Sequence, residues 1–409
     1  MLNELDSKLL GGILLVAGTT IGAGMLVMPI TTGLFGFIGT LSILIGCWLF
    51  MYWTATLILE ATLYFGHEAS FITMSKKTLG LVGSSVTWIS FLLFFYALIA
   101  AYLSGGGGIL LDAITGFSNE NFPLWVKILP LLIILSPFIY FGLSVVDHLN
   151  RYLMLAMALL YLIIIFLLFP NMQNNKLSYT NWSFSLLSFS VIVTSFGFHS
   201  TIPTLVNYLE RDVKRIKKCL LLGSLIPLVV YIIWEITILS IIPVKGPFGI
   251  ADAFSNQISL SNILNRHNDN NFLIVAIRIF SLFAIITSFL GVAQGLFDFL
   301  KDGLKAKTHK IKLLAFLLTF LPPVIFLLFF ENGFIQLLEY AGALVSVILG
   351  IIPILIVYKL RIHKKNNVHY QAVGNKFALM LGLLFFSFVI IFVILKNSGL
   401  ITFSTAGLL

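Results

Sequence analysis

Charge is scarce in this 409-residue chain. Only 10% of its residues are Asp, Glu, Lys or Arg, where a soluble domain carries about 25%. With 59% hydrophobic residues and a mean hydropathy of +1.04, that scarcity excludes a soluble globular protein and points to a membrane chain. Cysteine is nearly absent. Cys47 and Cys219 are the only two, and neither has a partner at metal-ligand spacing, so a disulfide framework is excluded and both read as small packing residues. Long polar stretches are missing as well, and with them any large soluble domain, nucleic-acid module or low-complexity tail. The sequence contains no His-Glu-x-x-His, no paired His/Asp metal motif and no Ser–His set with an orienting acid, which argues against an intramembrane enzyme. The run Gly105 to Gly108 lacks a following Gly-Lys-Ser/Thr and is no phosphate loop; close packing or flexibility at the end of a span is its simpler use.

What is present is apolar length. Stretches of about 20 residues suited to crossing a bilayer occur at 9–32, 35–64, 81–111, 127–146, 152–170, 185–207, 219–243, 272–299, 312–330, 334–358 and 377–396. Eleven spans of this kind predict an all-α polytopic membrane protein forming a single transmembrane unit over 1–409. The first run has neither a basic start nor a small-residue cleavage site, so it reads as a retained span. Basic residues alternate between the loops. With the N-terminus in the cytoplasm, the inner segments hold 19 of the 25 Lys and Arg, in dense clusters at 211–218, 301–312 and 359–376. Positively charged loops stay inside, so this distribution accounts for the net charge of +9 and sets the C-terminus outside. A nucleic-acid partner is not needed to explain it; the lipid bilayer is the expected surroundings, and no obligate protein partner is evident.

The most informative segment is Gly18-Thr-Thr-Ile-Gly-Ala-Gly24, half-way along the first apolar run. Glycine is a poor helix former, and threonine hydroxyls compete for backbone hydrogen bonds. Three glycines and two threonines in seven residues predict a locally unwound helix. Unpaired backbone at mid-membrane survives only where it lines a cavity or is buried in protein. There, its amides and carbonyls can bind the carboxylate and ammonium of an amino acid, or a cation. Small-residue helix packing is the plainer use of glycines. The sixth span echoes the pattern: Thr194-Ser-Phe-Gly-Phe-His-Ser200 precedes Pro203, as the glycine-rich segment precedes Pro29. Spans 1 and 6 run in opposite directions, and paired broken helices in two inverted halves point to a midplane substrate site. A channel is less well suited to this arrangement than a carrier with alternating access.

Gly18-Thr-Thr-Ile-Gly-Ala-Gly-Met25 with Pro29, Thr194-Ser-Phe-Gly-Phe-His199 with Pro203, and Thr287-Ser-Phe-Leu-Gly-Val-Ala293 leading to Gly295-Leu-Phe-Asp298 together resemble the hydroxy and aromatic amino acid permeases of the amino acid–polyamine–organocation superfamily. Tyr96-Ala-Leu, Ala100-Ala-Tyr102, Asn150-Arg151, Phe320-Leu-Pro-Pro323 and Tyr340-Ala-Gly342 extend the likeness along nearly the whole chain. The resemblance implies a leucine-transporter-like fold of two five-helix inverted repeats, 8–170 and 185–358, with an appended helix at 377–396. It also implies import of an aromatic amino acid, tyrosine first, through a bacterial inner membrane by proton symport without a cofactor. It divides the spans into a moving bundle (1, 2, 6 and 7) and a scaffold (3, 4, 8 and 9).

For a zwitterionic substrate, the amides of Ile21, Gly22, Ala23 and Gly24 begin the second half of span 1, where the helix dipole suits a carboxylate. Carbonyls around Gly18 and Thr19, and around Ser195 and Phe196, suit the ammonium, and Thr20 is a further substrate-binding candidate in the same segment. An aromatic side chain needs a flat apolar slot, for which Phe196, Gly197 and Phe198 at the second break and Tyr96 and Tyr102 in span 3 are candidates. His199 either meets the substrate hydroxyl, carries a proton or caps the broken backbone. Ionisable residues within spans are functional candidates by default. Glu60 and Asp298 lie near span ends, Glu339 near the outer face, and Glu235 deeper in span 7, where an ion pair with Arg278 is conceivable. Glu235 is the preferred proton carrier. Related proton-coupled carriers place a lysine in span 5, whereas this chain has Met157 at the expected place. Thr287 and Ser288 resemble the hydroxyl pair of a sodium site, which keeps sodium coupling as an alternative; otherwise the two hydroxyls pack helices. The inner segment Gly66 to Gly80 is expected to form an interfacial helix, and Val244 to Asn271 a lid over the outer entrance.

Overall fold

In the computed structural model, the described residues are 2–66, 70–115, 122–268, 270–305, 308–329, 334–363, 370–403, 405 and 407–408; Lys307, Lys364, Lys365 and 67–69 of the Gly66 to Gly80 segment lie outside them. Among the described residues the regular structure is helical, without a strand. Ten helices are long and apolar enough to cross a membrane, or eleven when the bent first pair is taken as one span. We number these spans 1 to 11.

Span 1 comprises Leu2–Thr20 and Gly24–Thr32, bent by 55° at the break. Span 2 is Phe37–Phe65 and span 3 is Phe71–Thr115. Spans 4 and 5 are Leu124–Phe141 and Leu143–Leu168, earlier in the chain than the apolar runs suggest: span 4 stops at Gly142, whose φ is +109°, and span 5 starts straight after it and takes in the polar residues from Asp147 to Arg151. Span 6 is broken too: Phe189–Ser195, a 3-10 turn at Phe198–Thr201, then Ile202–Tyr208. Span 7 is Val213–Ile241, span 8 Asn271–Gly303 and span 9 His309–Phe329. Span 10 runs from Phe334–Val345 through a π-helical stretch, Ser346–Ile351, into Ile352–His363. Pro353 follows the widened turn and lacks the N–H that would close a regular one. Span 11 is Lys376–Asn397.

Burial separates the centre from the rim. In spans 6 and 10, 67% of the apolar window is buried, against 22% in spans 4 and 5. The outward faces carry side chains such as Phe166 and Leu384, which suit hydrocarbon as solvent. Span 1 packs closely on span 7, and span 7 on span 2; span 3 packs on spans 4, 8, 9 and 10, and span 8 on span 5. The glycine run of span 3 is packing surface: a Cβ at Gly106 would meet Ile285 of span 8, and one at Gly107 the backbone of Lys127 and Ile128 in span 4. Cys47 and Cys219 are buried and unpaired, and Cys219 of span 7 lies against Gly12 of span 1.

One end of the bundle carries the basic clusters and is tied by charge. Glu60 of span 2 takes a two-pronged bond from Arg361 of span 10, at 2.9 and 2.6 Å, and a third bond from the Ala372 amide at 2.8 Å. Arg361 also donates to the Gly374 and Ala372 carbonyls. Arg211 donates to the Leu63 carbonyl, and Lys8 pairs with Glu210. The segment after Ser70 is helical and enters span 3 through a kink at Gly80, whose φ of +76° suits a residue without a Cβ.

The opposite end is tied mostly by backbone. The Asn181 amide donates to Phe35 O, and the Gln173 amide and Lys176 Nζ donate to Ser240 O and Ile241 O. Two short helices, Ile250–Ser255 and Leu260–Arg266, pack against the second half of span 1, within the segment expected to form a lid. Glu339 of span 10 pairs there with Lys396 of span 11.

Candidate substrate site

The break in span 1 follows from local chemistry. Thr19 and Thr20 turn their hydroxyls back onto the carbonyls of Leu15 and Val16, so they serve the backbone of their own helix. The helix ends at Thr20 and resumes at Gly24. Pro29 then leaves the Met25 carbonyl without its intrahelical donor. Trp234 Nε1 of span 7 supplies the missing bond at 2.9 Å. In span 6, Pro203 likewise lacks an N–H for His199 O, which is taken by the Ile202 amide in a tighter turn.

The two breaks meet. A Cβ at Gly24 would overlap Ser195 Oγ, and one at Gly22 would overlap Ser288 Oγ, so a side chain at either position would force a serine hydroxyl to move. Ser288 of span 8 accepts from the Ala23 amide at 3.0 Å and donates to Ala284 O at 2.9 Å, and Tyr102 of span 3 is buried. Tyr231 of span 7 donates its hydroxyl to Thr20 O at 2.7 Å and stands 3.3 Å from Ser195 O. Its ring meets Phe196 edge-on, with centroids 5.5 Å apart. Both rings are buried.

Of the four amides assigned to a carboxylate, two are engaged: Ile21 by Ala17 O and Ala23 by Ser288. Gly22 and Gly24 remain at the head of the second half-helix, where a first-turn amide has no acceptor within its own helix. On the acceptor side, the carbonyls of Thr20 and Ser195 face one point. The centre therefore offers amides for an anion, carbonyls for a cation and aromatic walls beside them.

Other expected residues lie elsewhere. Gly18 faces span 5, where Met154 is the side chain against it; Met157 is buried one turn further on. The Tyr96 hydroxyl donates to Leu318 O of span 9 at 2.9 Å. Gly197 packs by Thr194 O and Leu349, while Phe198 lies beside His199. His199 is buried against span 2, with Nε2 2.9 Å from Thr54 Oγ1 and Nδ1 without a partner. The Thr287 hydroxyl bonds Ala284 O of its own helix.

Glu235 is buried one helical turn beyond Tyr231 and accepts from Thr32 Oγ1 at 2.9 Å; its Oε1 has no partner. No ion pair links it to Arg278 among the described residues, because Arg278 is exposed on span 8. Asp298 pairs with Lys301 and accepts from Gln294.

Tyr231 and Trp234 were not legible as site residues. The available signal was spacing: they lie four and one residues before Glu235, and residues at i and i+4 share a helix face. A face that carries a carboxyl at mid-membrane turns toward protein rather than lipid.

The sequence model of the tryptophan/tyrosine permease family matches residues 6–393. Among curated proteins, the chain is similar to tyrosine-specific transport system 2 of Haemophilus influenzae, 33% identical over 93% of this chain and 94% of that protein. Tyrosine-specific transport system 1 of the same organism is 34% identical over 92% and 94%. Its tryptophan-specific transport protein is 32% identical over 97% and 96%.

Proposed function

Because the chain belongs to the tryptophan/tyrosine permease family, whose named relatives are transport proteins rather than enzymes, we propose that it is a secondary active importer of aromatic amino acids, tyrosine first, working by proton symport and alternating access. The observation that carries this reading is the meeting of the two breaks. Gly22 and Gly24 amides on one side and Thr20 and Ser195 carbonyls on the other fit the two charges of one amino acid. Phe196 and the ring of Tyr231 supply an aromatic wall beside them.

Span 1 with its partners 2, 6 and 7 forms the moving bundle, and spans 3, 4, 8 and 9 the scaffold. The two sets correspond to inverted repeats over 8–170 and 185–358, with span 11 appended. The basic end, carrying Glu60–Arg361, faces the cytoplasm of a bacterial inner membrane, as expected from the charge of its loops. Glu235 is the proton carrier: it is buried, it touches the outer half of the broken span through Thr32, and its Oε1 has no other bond. The Ser288 hydroxyl is already committed to Ala23 and Ala284, which supports the proton over a sodium ion at Thr287 and Ser288.

The test is uptake of radiolabelled tyrosine into proteoliposomes under a proton or a sodium gradient at matched voltage, with tryptophan, phenylalanine, leucine and glutamine as competitors. Proton-driven uptake blocked by aromatic competitors alone is the expected result. Sodium-driven uptake would overturn the coupling ion, and inhibition by leucine or glutamine the substrate class.

A further inference from the structure

The two carbonyls that end the first halves of spans 1 and 6 already have an occupant. Tyr231 Oη lies 2.7 Å from Thr20 O and 3.3 Å from Ser195 O, so one atom of span 7 occupies the point on which both broken helices converge. A phenol has a single proton to donate and satisfies one of these acceptors well; an ammonium has three. Hydrogen bonds from a charged donor are also about twice as strong as neutral ones. The acceptor pair is therefore better matched to an amine than to the hydroxyl that occupies it.

Three side chains on one face of span 7 bond span 1 around its break, and Cys219 Sγ bonds Leu9 O at 3.4 Å further along the first half. Tyr231 binds the first half at Thr20 O, Trp234 binds the second half at Met25 O, and Glu235 binds its far end at Thr32. The three side chains share one helix face. Of the three contacts, the Tyr231 bond alone reaches the half-helix before the break and also approaches span 6. Displacing it would free the broken end of the first half of span 1 from span 7, while Cys219 still bonds Leu9 O further along and the grip on the second half stays in place.

Building on the functional reading above, we propose that the Tyr231 hydroxyl occupies the seat of the substrate ammonium in the unloaded carrier and is displaced from Thr20 O and Ser195 O when an amino acid binds. Tyr231 is then a positioning residue that makes the ammonium a requirement. A ligand bearing an ammonium replaces a weaker donor with a stronger one, whereas a ligand without it leaves the hydroxyl where it stands. Loading would change the hold of span 7 on the first half of the broken span, which ties occupancy to the bend.

The experiment compares equilibrium binding of tyrosine and of its deaminated analogue, 3-(4-hydroxyphenyl)propanoate, to the purified full chain and to Tyr231→Phe. Removing a neutral competitor should tighten tyrosine binding about fivefold, the equivalent of one ordinary hydrogen bond. Analogue binding should stay within about twofold by the same reasoning, since no bond is exchanged for it. An unchanged or weakened tyrosine affinity in Tyr231→Phe would overturn the proposal while leaving the transporter reading intact. Absence of tyrosine binding to the wild-type chain would remove that reading and this seat with it. If Tyr231→Phe does not fold, 3-fluorotyrosine at position 231 of the otherwise unaltered chain serves instead. Its fluorine resonance should move on adding tyrosine and hold still with the analogue; the same response to both ligands would overturn the proposal.

Discussion

Glu235 accepts a 2.9 Å hydrogen bond from Thr32 across the interface of spans 7 and 1, and its second oxygen is buried without a partner. A carboxyl in that state joins two features of the proposed coupling group, an open position for a proton and a direct contact with the broken span that the proposed mechanism moves. Glu235→Gln keeps the shape and the Thr32 contact and removes the titration. Concentrative tyrosine uptake should be lost while exchange of preloaded substrate persists. The check is the accumulation ratio in proteoliposomes as external pH is varied: the variant should give a ratio near one throughout, and a wild-type pH response would remove Glu235 from the coupling role.

Gly22→Val is expected to abolish tyrosine binding without preventing membrane insertion, because the new side chain would occupy the space of Ser288 Oγ at the break. The contrast is Gly46 in span 2, where a Cβ meets nothing within 4 Å; Gly46→Ala should bind as the wild type does. A paired test isolates the cause. Gly22→Ala should bind poorly, and adding Ser288→Ala should recover part of the affinity, since the remaining Ser288 Cβ lies at an ordinary 3.7 Å. Equal affinity in the single and double variants, measured by equilibrium binding, would show that Ser288 is not the obstacle.

The Glu60–Arg361 pair lies at the basic end with only 3% and 16% of its side chains exposed. Breaking a buried pair leaves one charge without compensation and costs about 3–5 kcal/mol, while replacing both partners costs far less. Arg361→Met should therefore lower the thermal midpoint in detergent sharply, and Glu60→Gln with Arg361→Met should regain most of it. The carbonyls of Gly374 and Ala372, which Arg361 also satisfies, would remain unpaired in both variants, so recovery should be incomplete. Equal midpoints for the single and double variants would contradict this account.

His199 holds span 6 to span 2. Thr54 donates to Met51 O at 3.1 Å and meets His199 Nε2 at 2.9 Å, an arrangement in which Nε2 carries the proton and Nδ1 is the bare acceptor. Thr54→Val removes the contact without altering the imidazole. It should destabilise the chain by about 1–3 kcal/mol, as expected when a buried polar group loses its partner, and leave the proton-driven accumulation ratio unchanged. Thermal melting reads the first effect and uptake the second. A changed ratio at unchanged stability would instead favour a coupling role for the histidine.

Much of the fold was legible along the chain because a bilayer imposes one-dimensional rules. Apolar length marks each span, and Gly18 to Gly24, with threonines beside the glycines, marks an unwound segment wherever the chain folds. The second break could be located from Thr194-Ser-Phe-Gly-Phe-His199 and Pro203 for the same reason. Residue roles at mid-membrane were less accessible. Tyr96 and Tyr102 lie on one helix six residues apart, yet Tyr96 is half-buried and bonds span 9 while Tyr102 is buried, since which way a side chain faces depends on the rotation of its helix against neighbours distant in sequence. Glu235 and Arg278 were a conceivable ion pair until packing turned one inward and the other out.

An all-α polytopic chain with two interrupted spans follows from the order of residues alone, because hydrocarbon demands helices and glycine, threonine and proline weaken them locally. What the interruptions serve depends on packing. It brought Ser288 to Ala23, Trp234 to the carbonyl that Pro29 leaves unpaired, and Tyr231 to Thr20 and Ser195. A broken helix exposes donors and acceptors but does not select their partners; that selection is made by the side chains that neighbouring spans bring within 3 Å or so of them.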